Sequence, residues 1–146
     1  MTETDLIEGV AALLRAYPNE PLASIEVHTQ PQIGYEDADG FVEVSFSAGS
    51  EVFEAIGNQA ADEVTLRIYA QFPFADTVVN RQKLETLCSQ IRYILRNNRG
   101  LTTSSGTATR NQQIRWNYGF ASDGADARRQ CEVFVTYRIP QGSTAP

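Results

Sequence analysis

Val64-Thr-Leu-Arg-Ile-Tyr-Ala-Gln-Phe72 decides the architecture of this 146-residue chain. Val64, Leu66, Ile68, Ala70 and Phe72 fall on one side of an extended backbone, with Thr65, Arg67, Tyr69 and Gln71 on the other. Successive side chains of a strand point to opposite faces, so this period of two marks a strand with one buried face. Pro73 stops the run because it has no N–H to give a ladder. Asp76 is placed to cap a long amphipathic helix. That helix carries Leu84, Leu87, Cys88, Ile91, Ile94 and Leu95 on one stripe, and Arg81, Lys83, Glu85, Arg92 and Arg96 toward water. Gly100, after Arg99, is the expected stop.

Downstream, Thr102 to Thr109 reads as a polar loop around Ser104-Ser-Gly106. Ile114, Trp116, Tyr118 and Phe120 alternate along a further strand, Ser122-Asp-Gly-Ala-Asp126 turns the chain, and Cys131, Val133, Val135, Tyr137 and Ile139 alternate along the last. Because Trp116 and Tyr118 share a side with Ile114 and Phe120, they are expected in the core. The alternative is a base-stacking platform with Arg115.

Upstream, Leu6, Ile7, Val10, Leu13, Leu14 and Tyr17 recur at helical spacing after Thr4 as a candidate N-cap, and Pro18 ends that helix. Asn19-Glu-Pro21 makes a turn and Ser24–His28 a short strand. Gln30–Gly40 is a loop, and Phe41–Phe46 is a strand with Val42, Val44 and Phe46 on one face. Between Ser47 and Asp62 the pattern weakens, which reads as the extended, partly mobile arm of a hairpin. The fold class expected is α+β in the order α-β-β-β-α-β-β. A mostly antiparallel sheet is packed by one long helix, with the first helix beside it. Residues 1–140 form a single domain in this reading, and 141–146 a flexible tail.

The composition is that of an ordinary globular chain, 42% hydrophobic and 21% charged. No apolar run approaches the ~18 residues of a membrane span, and the acidic N-terminus lacks the basic start of a secretory signal, so a cytosolic origin is the default. Eighteen acidic against twelve basic residues give a net charge of −6, which argues against a chain whose main task is gripping phosphate backbones. Basic spots remain at Arg92, Arg96 and Arg99, and at Arg128 and Arg129. All but one of the basic residues are arginine, whose planar fork suits protein interfaces. Cys88 and Cys131 both sit on apolar sides and read as buried free thiols; a disulfide between helix and sheet is conceivable but not required.

Residues for catalysis are sparse. His28 is the single histidine, with no nucleophile and orienting carboxylate patterned around it. Glu36-Asp-Ala-Asp-Gly40 lacks the ligand spacing of a calcium loop, and no phosphate-binding glycine motif occurs. No catalytic residue, metal or cofactor is expected. What remains is a set of apolar residues in weakly patterned segments, Val52, Phe53 and Ile56 in the arm and Phe74 before the long helix. Together with Glu51, Arg128 and Arg129 they are the candidate protein-interface residues.

Four stretches resemble one family. They are the opening helix ending in Tyr17-Pro18, Phe41-Val-Glu-Val-Ser-Phe-Ser-Ala-Gly49, Glu63-Val-Thr-Leu-Arg-Ile-Tyr-Ala-Gln-Phe-Pro73, and Cys131-Glu-Val-Phe-Val-Thr-Tyr-Arg138. In size and element order nearly the whole chain is similar to the tail-terminator (tail-completion) proteins of long-tailed bacteriophages, the lambda-type minor tail protein family. The resemblance implies a homo-oligomer, a hexameric ring on the head-proximal end of the tail tube. It further implies that the ring stops tube polymerisation, presents a surface to a head-completion or neck protein, and passes DNA without specific binding. The location implied is the virion, after assembly in the host cytoplasm, with no membrane partner and no catalytic residue. By position, 47–62 and 101–113 would make ring or tube contacts. The competing readings are another head–tail connector, a small ligand- or nucleotide-binding α+β domain, and an enzyme built on His28.

Overall fold

Two apolar helix stripes and a series of alternating strands need each other, and here they meet as helices laid against one side of a sheet. The computed structural model describes residues 3–30, 40–53, 60–72, 78–102, 108–123 and 126–140. In chain order these form α1 (Glu3–Arg15), a 3-10 turn (Leu22–Ser24), β1 (Glu26–His28), β2 (Phe41–Phe53) and β3 (Ala60–Phe72). Then come α2 (Val78–Asn97), β4 (Gly100–Thr102), β5 (Ala108–Asp123) and β6 (Asp126–Pro140). The strands make one sheet in the order β1-β2-β3-β6-β5-β4. All neighbours are antiparallel except β1, which runs parallel to β2.

The α+β class and the mainly antiparallel sheet are as expected; several details differ. Both helices pack the core, since α1 buries Leu6, Val10, Ala11 and Leu14 as fully as α2 buries Leu87, Cys88, Ile91 and Leu95. A sixth strand, β4, starts at Gly100, the expected helix stop, and ends at Thr102, where the expected loop begins. Three residues are too few to show a period, and only Leu101 among them is buried. Ser24 closes a 3-10 turn instead of opening a strand, and Thr4 lies inside α1. The long helix ends at Asn97, not at Gly100, which opens β4. Its last carbonyls are met by side-chain amides: Asn97 Nδ2 donates to Tyr93 O (2.9 Å), Asn98 Nδ2 to Ile94 O (2.8 Å) and Asn111 Nδ2 to Leu95 O (2.9 Å). These replace the glycine cap by satisfying the same orphan acceptors. Asp76 and the tail 141–146 lie outside the described residues.

The described parts of the expected arm, 47–53 and 60–62, belong to the sheet; 54–59 lie outside the described residues. β2 pairs with β3 out to Phe53 opposite Ala60, and β3 is itself laddered to β6 from Ala61 opposite Pro140. A register shift between Phe46 and Ala48 breaks the alternation there, which is why 47–62 reads poorly as strand. Phe46 shares the side of Val42 and Val44, as expected, opposite the buried Leu66, but it is 47% exposed.

The core lies between the helices and one side of the sheet, where Val42, Val44, Leu66, Ile68, Ala70, Cys131, Val133, Val135 and Tyr137 are fully buried. α1 packs on β1 and β2 at one end of the strand order. Through Gly9 it also meets Leu101 of β4 at the other end, so the sheet curls around it. A β-carbon at Gly9 would lie 3.0 Å from Leu101 Cδ2. Among the described residues no helix is long and apolar enough to cross a membrane.

Candidate functional site

Among the described residues the sheet leaves two long edges unpaired. β1 covers β2 only at 41–43, and β4 covers β5 only at 108–110. Among the described residues, no strand pairs with the outer side of 44–53 or of 112–123. An uncovered edge offers a row of backbone donors and acceptors to any chain that can add a strand. These two edges, with the side chains that flank them, form the candidate site.

At the β5 edge the structure overturns an expectation. Trp116 and Tyr118 point to the helix side, as their alternation requires, but they are 47% and 46% exposed. The reason is the placement of α2, which packs chiefly on β6 and β3 and only touches β5. The rim of the layer is therefore left open beside two aromatic rings. The Arg92 guanidinium lies 3.9 Å from the Trp116 ring centroid, a stacking contact that orders both side chains. Arg96 stands farther off, 5.9 Å from the Tyr93 ring.

Beneath that rim lie both thiols, free and buried as expected. Cys131 donates to the sulfur of Cys88, which is the main reason the Cys88 thiol titrates below its ordinary value; Tyr118 Oη and Arg92 act in the same direction against burial. The same hydrogen bond, reinforced by burial, pushes Cys131 up. Tyr118 is raised too, first by burial and then by its bond to Cys88. Two thiols, a phenol and a guanidinium thus tie α2 to β5 and β6 behind the exposed rings.

No described helix covers the opposite side of the sheet, which carries cross-strand polar pairs. Arg67 Nε meets Glu132 Oε2 at 2.5 Å, Tyr69 Oη donates to Gln130 Oε1 at 2.6 Å, and the Thr65 and Thr136 hydroxyls are 2.8 Å apart. Arg115 lies 5.5 Å from the Phe134 ring. Pairs of this kind stabilise a solvated sheet face by a few tenths of a kcal/mol each, up to about 1 kcal/mol.

The expected interface residues do not form one cluster. Glu51 and Phe53 are exposed and Val52 is half-buried, all at the far end of β2; Phe53, 74% exposed, has the character of a contact residue. Arg129 is half-buried on β6 opposite Phe72, at the other end of the strands, and Arg128 follows the same ladder opposite Ala121. Ile56 and Phe74 lie outside the described residues. Of the 101–113 segment, Leu101, Thr109 and Asn111 are buried, Thr102, Arg110, Gln112 and Gln113 are exposed, and 103–107 lie outside the described residues. His28 lies on β1 with Nε2 3.4 Å from Glu26 Oε2; β2 and β3 stand between it and the thiol on β6. Trp116, Tyr118, Arg92 and Arg115 are the site residues that sequence reasoning undervalued. The available signal was a long alternating run followed by only one partner strand.

No protein-family model matches the chain, and no curated protein matches it. Among solved structures, its fold is similar to that of a sheath/tube terminator, seen in the extended state of an extracellular contractile injection system, PVC, by cryo-EM. The two share 17% identity with a TM-score of 0.51, over 98% of this chain. The chain spans 58% of the length of that terminator.

Proposed function

We propose that this chain is a structural protein of the tail-terminator type, whose copies close into a ring on the end of a tail tube and halt its growth. The observation that carries this reading is the fold shared with a sheath/tube terminator along almost the whole chain. Two open sheet edges support it, since a closed ring of identical subunits needs two different, complementary contact surfaces on each copy. In this reading the ring is a hexamer, 1–140 is its folding unit, and Glu51, Val52 and Phe53 belong to its contacts. Its other partners are the tube protein and a head-completion or neck protein. It works in the virion at the head-proximal end, and DNA passes through it without specific binding. It is not an enzyme and uses no cofactor.

The test has two parts. Light scattering on the purified chain should give a mass of six subunits, and adding it to a polymerising tube protein of the same particle should shorten the tubes. A twelve-subunit mass would favour a different connector. A strictly monomeric protein that leaves tube length unchanged would reject the proposal. Phe53→Asp should weaken the oligomer and leave circular dichroism unaltered, because the ring of Phe53 is already in water.

A further inference from the structure

From the geometry we infer that the subunit contact joins the β2 edge of one copy to the β5 edge of the next, antiparallel, so that the sheets of neighbouring subunits run on into one another. The inference rests on the ring reading above and specifies which surfaces meet.

Three observations point to a second copy of this chain as the occupant of each edge. The first is direction. β2, β3, β6 and β5 are joined by three antiparallel ladders, so β2 and β5 run opposite ways within one subunit. In a cyclic repeat every copy keeps the same orientation to the axis. Placing β2 of one copy beside β5 of the next therefore continues the antiparallel pattern without a break. Had the run between the edges held an odd number of strands, the junction would have been parallel.

The second is charge. Within its open run β2 carries Glu51 and no basic residue, and β3 beside that run adds Asp62 and Glu63, while its one arginine, Arg67, is paired with Glu132. Glu3, Glu51, Asp62 and Glu63 border one open depression at that edge. The open run of β5 carries Arg115, with Asp123 at its last position, and α2 sets Arg92 over Trp116 and exposes Arg96 on the neighbouring turn. The surroundings of the β2 edge are thus mainly acidic and those of the β5 edge mainly basic, with Arg115 also bordering the depression that holds Ser50 and Glu63 of its own subunit, within a chain whose net charge is −6. Self-pairing of either edge would oppose like charges; pairing the two different edges opposes unlike ones. The third is fit of length. β1 and β4 each cap only three residues, leaving 44–53 and 112–123 as comparable open runs.

A charge swap tests this. Variant one, Ser50→Arg with Glu51→Arg, makes the β2 edge basic; variant two, Arg96→Glu with Arg115→Glu, makes the β5 edge acidic. All four positions are exposed, so circular dichroism should match the wild type. Each variant alone should self-associate roughly tenfold more weakly than wild type, from two opposed like charges. An equimolar mixture should regain the wild-type mass, because strict alternation around an even ring restores an acidic–basic pair at every junction. The emission of Trp116, the single tryptophan, should shift to the blue as wild-type subunits associate and cover the rim. If the wild type is a ring but both variants assemble normally, the edge contact is wrong and the ring reading stands. The same holds if the mixture stays dissociated. If the wild type is monomeric at high concentration, both fall.

Discussion

Tyr137 is the largest of the fully buried side chains, and its hydroxyl finds no hydrogen-bond partner among the described residues. The nearby Asn111 amide commits its nitrogen to Leu95 O and does not reach the phenol in bonding geometry. Burial pushes the Tyr137 phenol up to about 12, and the Asn111 dipole offsets only part of that. A buried hydroxyl without a partner costs desolvation and returns nothing, so Tyr137→Phe should raise stability by about 1 kcal/mol. The sign of the pH effect follows from the raised value. Between pH 10 and about 12 the unfolded chain ionises this phenol while the folded chain does not. The wild type should therefore lose stability through that window, and Tyr137→Phe should lose less. Urea midpoints at pH 8 and pH 11 for both proteins would decide it. The alternation of Cys131 to Ile139 places Tyr137 in the core correctly; the same logic misplaces Trp116 and Tyr118. Period tells which side of a strand a residue faces, and it is silent on whether a helix reaches that far.

Secondary-structure elements were legible in proportion to how many periods each displays. α1, α2, β3 and β6 repeat their pattern several times, and their residues sit where the pattern puts them apart from Arg92, expected in water and found half-buried over Trp116. β4 spans three residues and shows nothing. β2 loses its signal at the register shift after Phe46. The helix boundary at Asn97 depends on three asparagine amides, one of them contributed from β5, a contact no local pattern can report. The α1–β4 contact is equally non-local. Gly9 lets α1 approach Leu101, and a β-carbon there would press on the far end of a flexible side chain. Gly9→Ala should be close to neutral, since about 1 kcal/mol of helix propensity offsets mild crowding. Gly9→Leu should cost about 1–3 kcal/mol, because the added bulk has to push β4 away from the helix. Chemical denaturation of both variants measures the difference.

For the whole molecule, the acidic balance sets how it meets nucleic acid. With a net charge of −6, binding to duplex DNA should be weak even at low salt, despite the arginines beside β5. Tight binding in a fluorescence titration at 20 mM salt would reject a ring that lets DNA slide through. The strand order carries a second consequence, for the time it takes to fold. The hairpins β2–β3 and β5–β6 are local, but the ladder that joins them pairs Phe72 with Arg129 and Ala61 with Pro140. The middle of the sheet can therefore zip only after a long stretch of chain has been looped back, and that entropy has to be lost before any contact repays it. Refolding should take milliseconds to seconds, and Ile68→Val, at the seam, should slow it more than it speeds unfolding. Until the seam closes, each half leaves a bare hairpin flank exposed, so the newly made chain is most prone to mispairing during that delay.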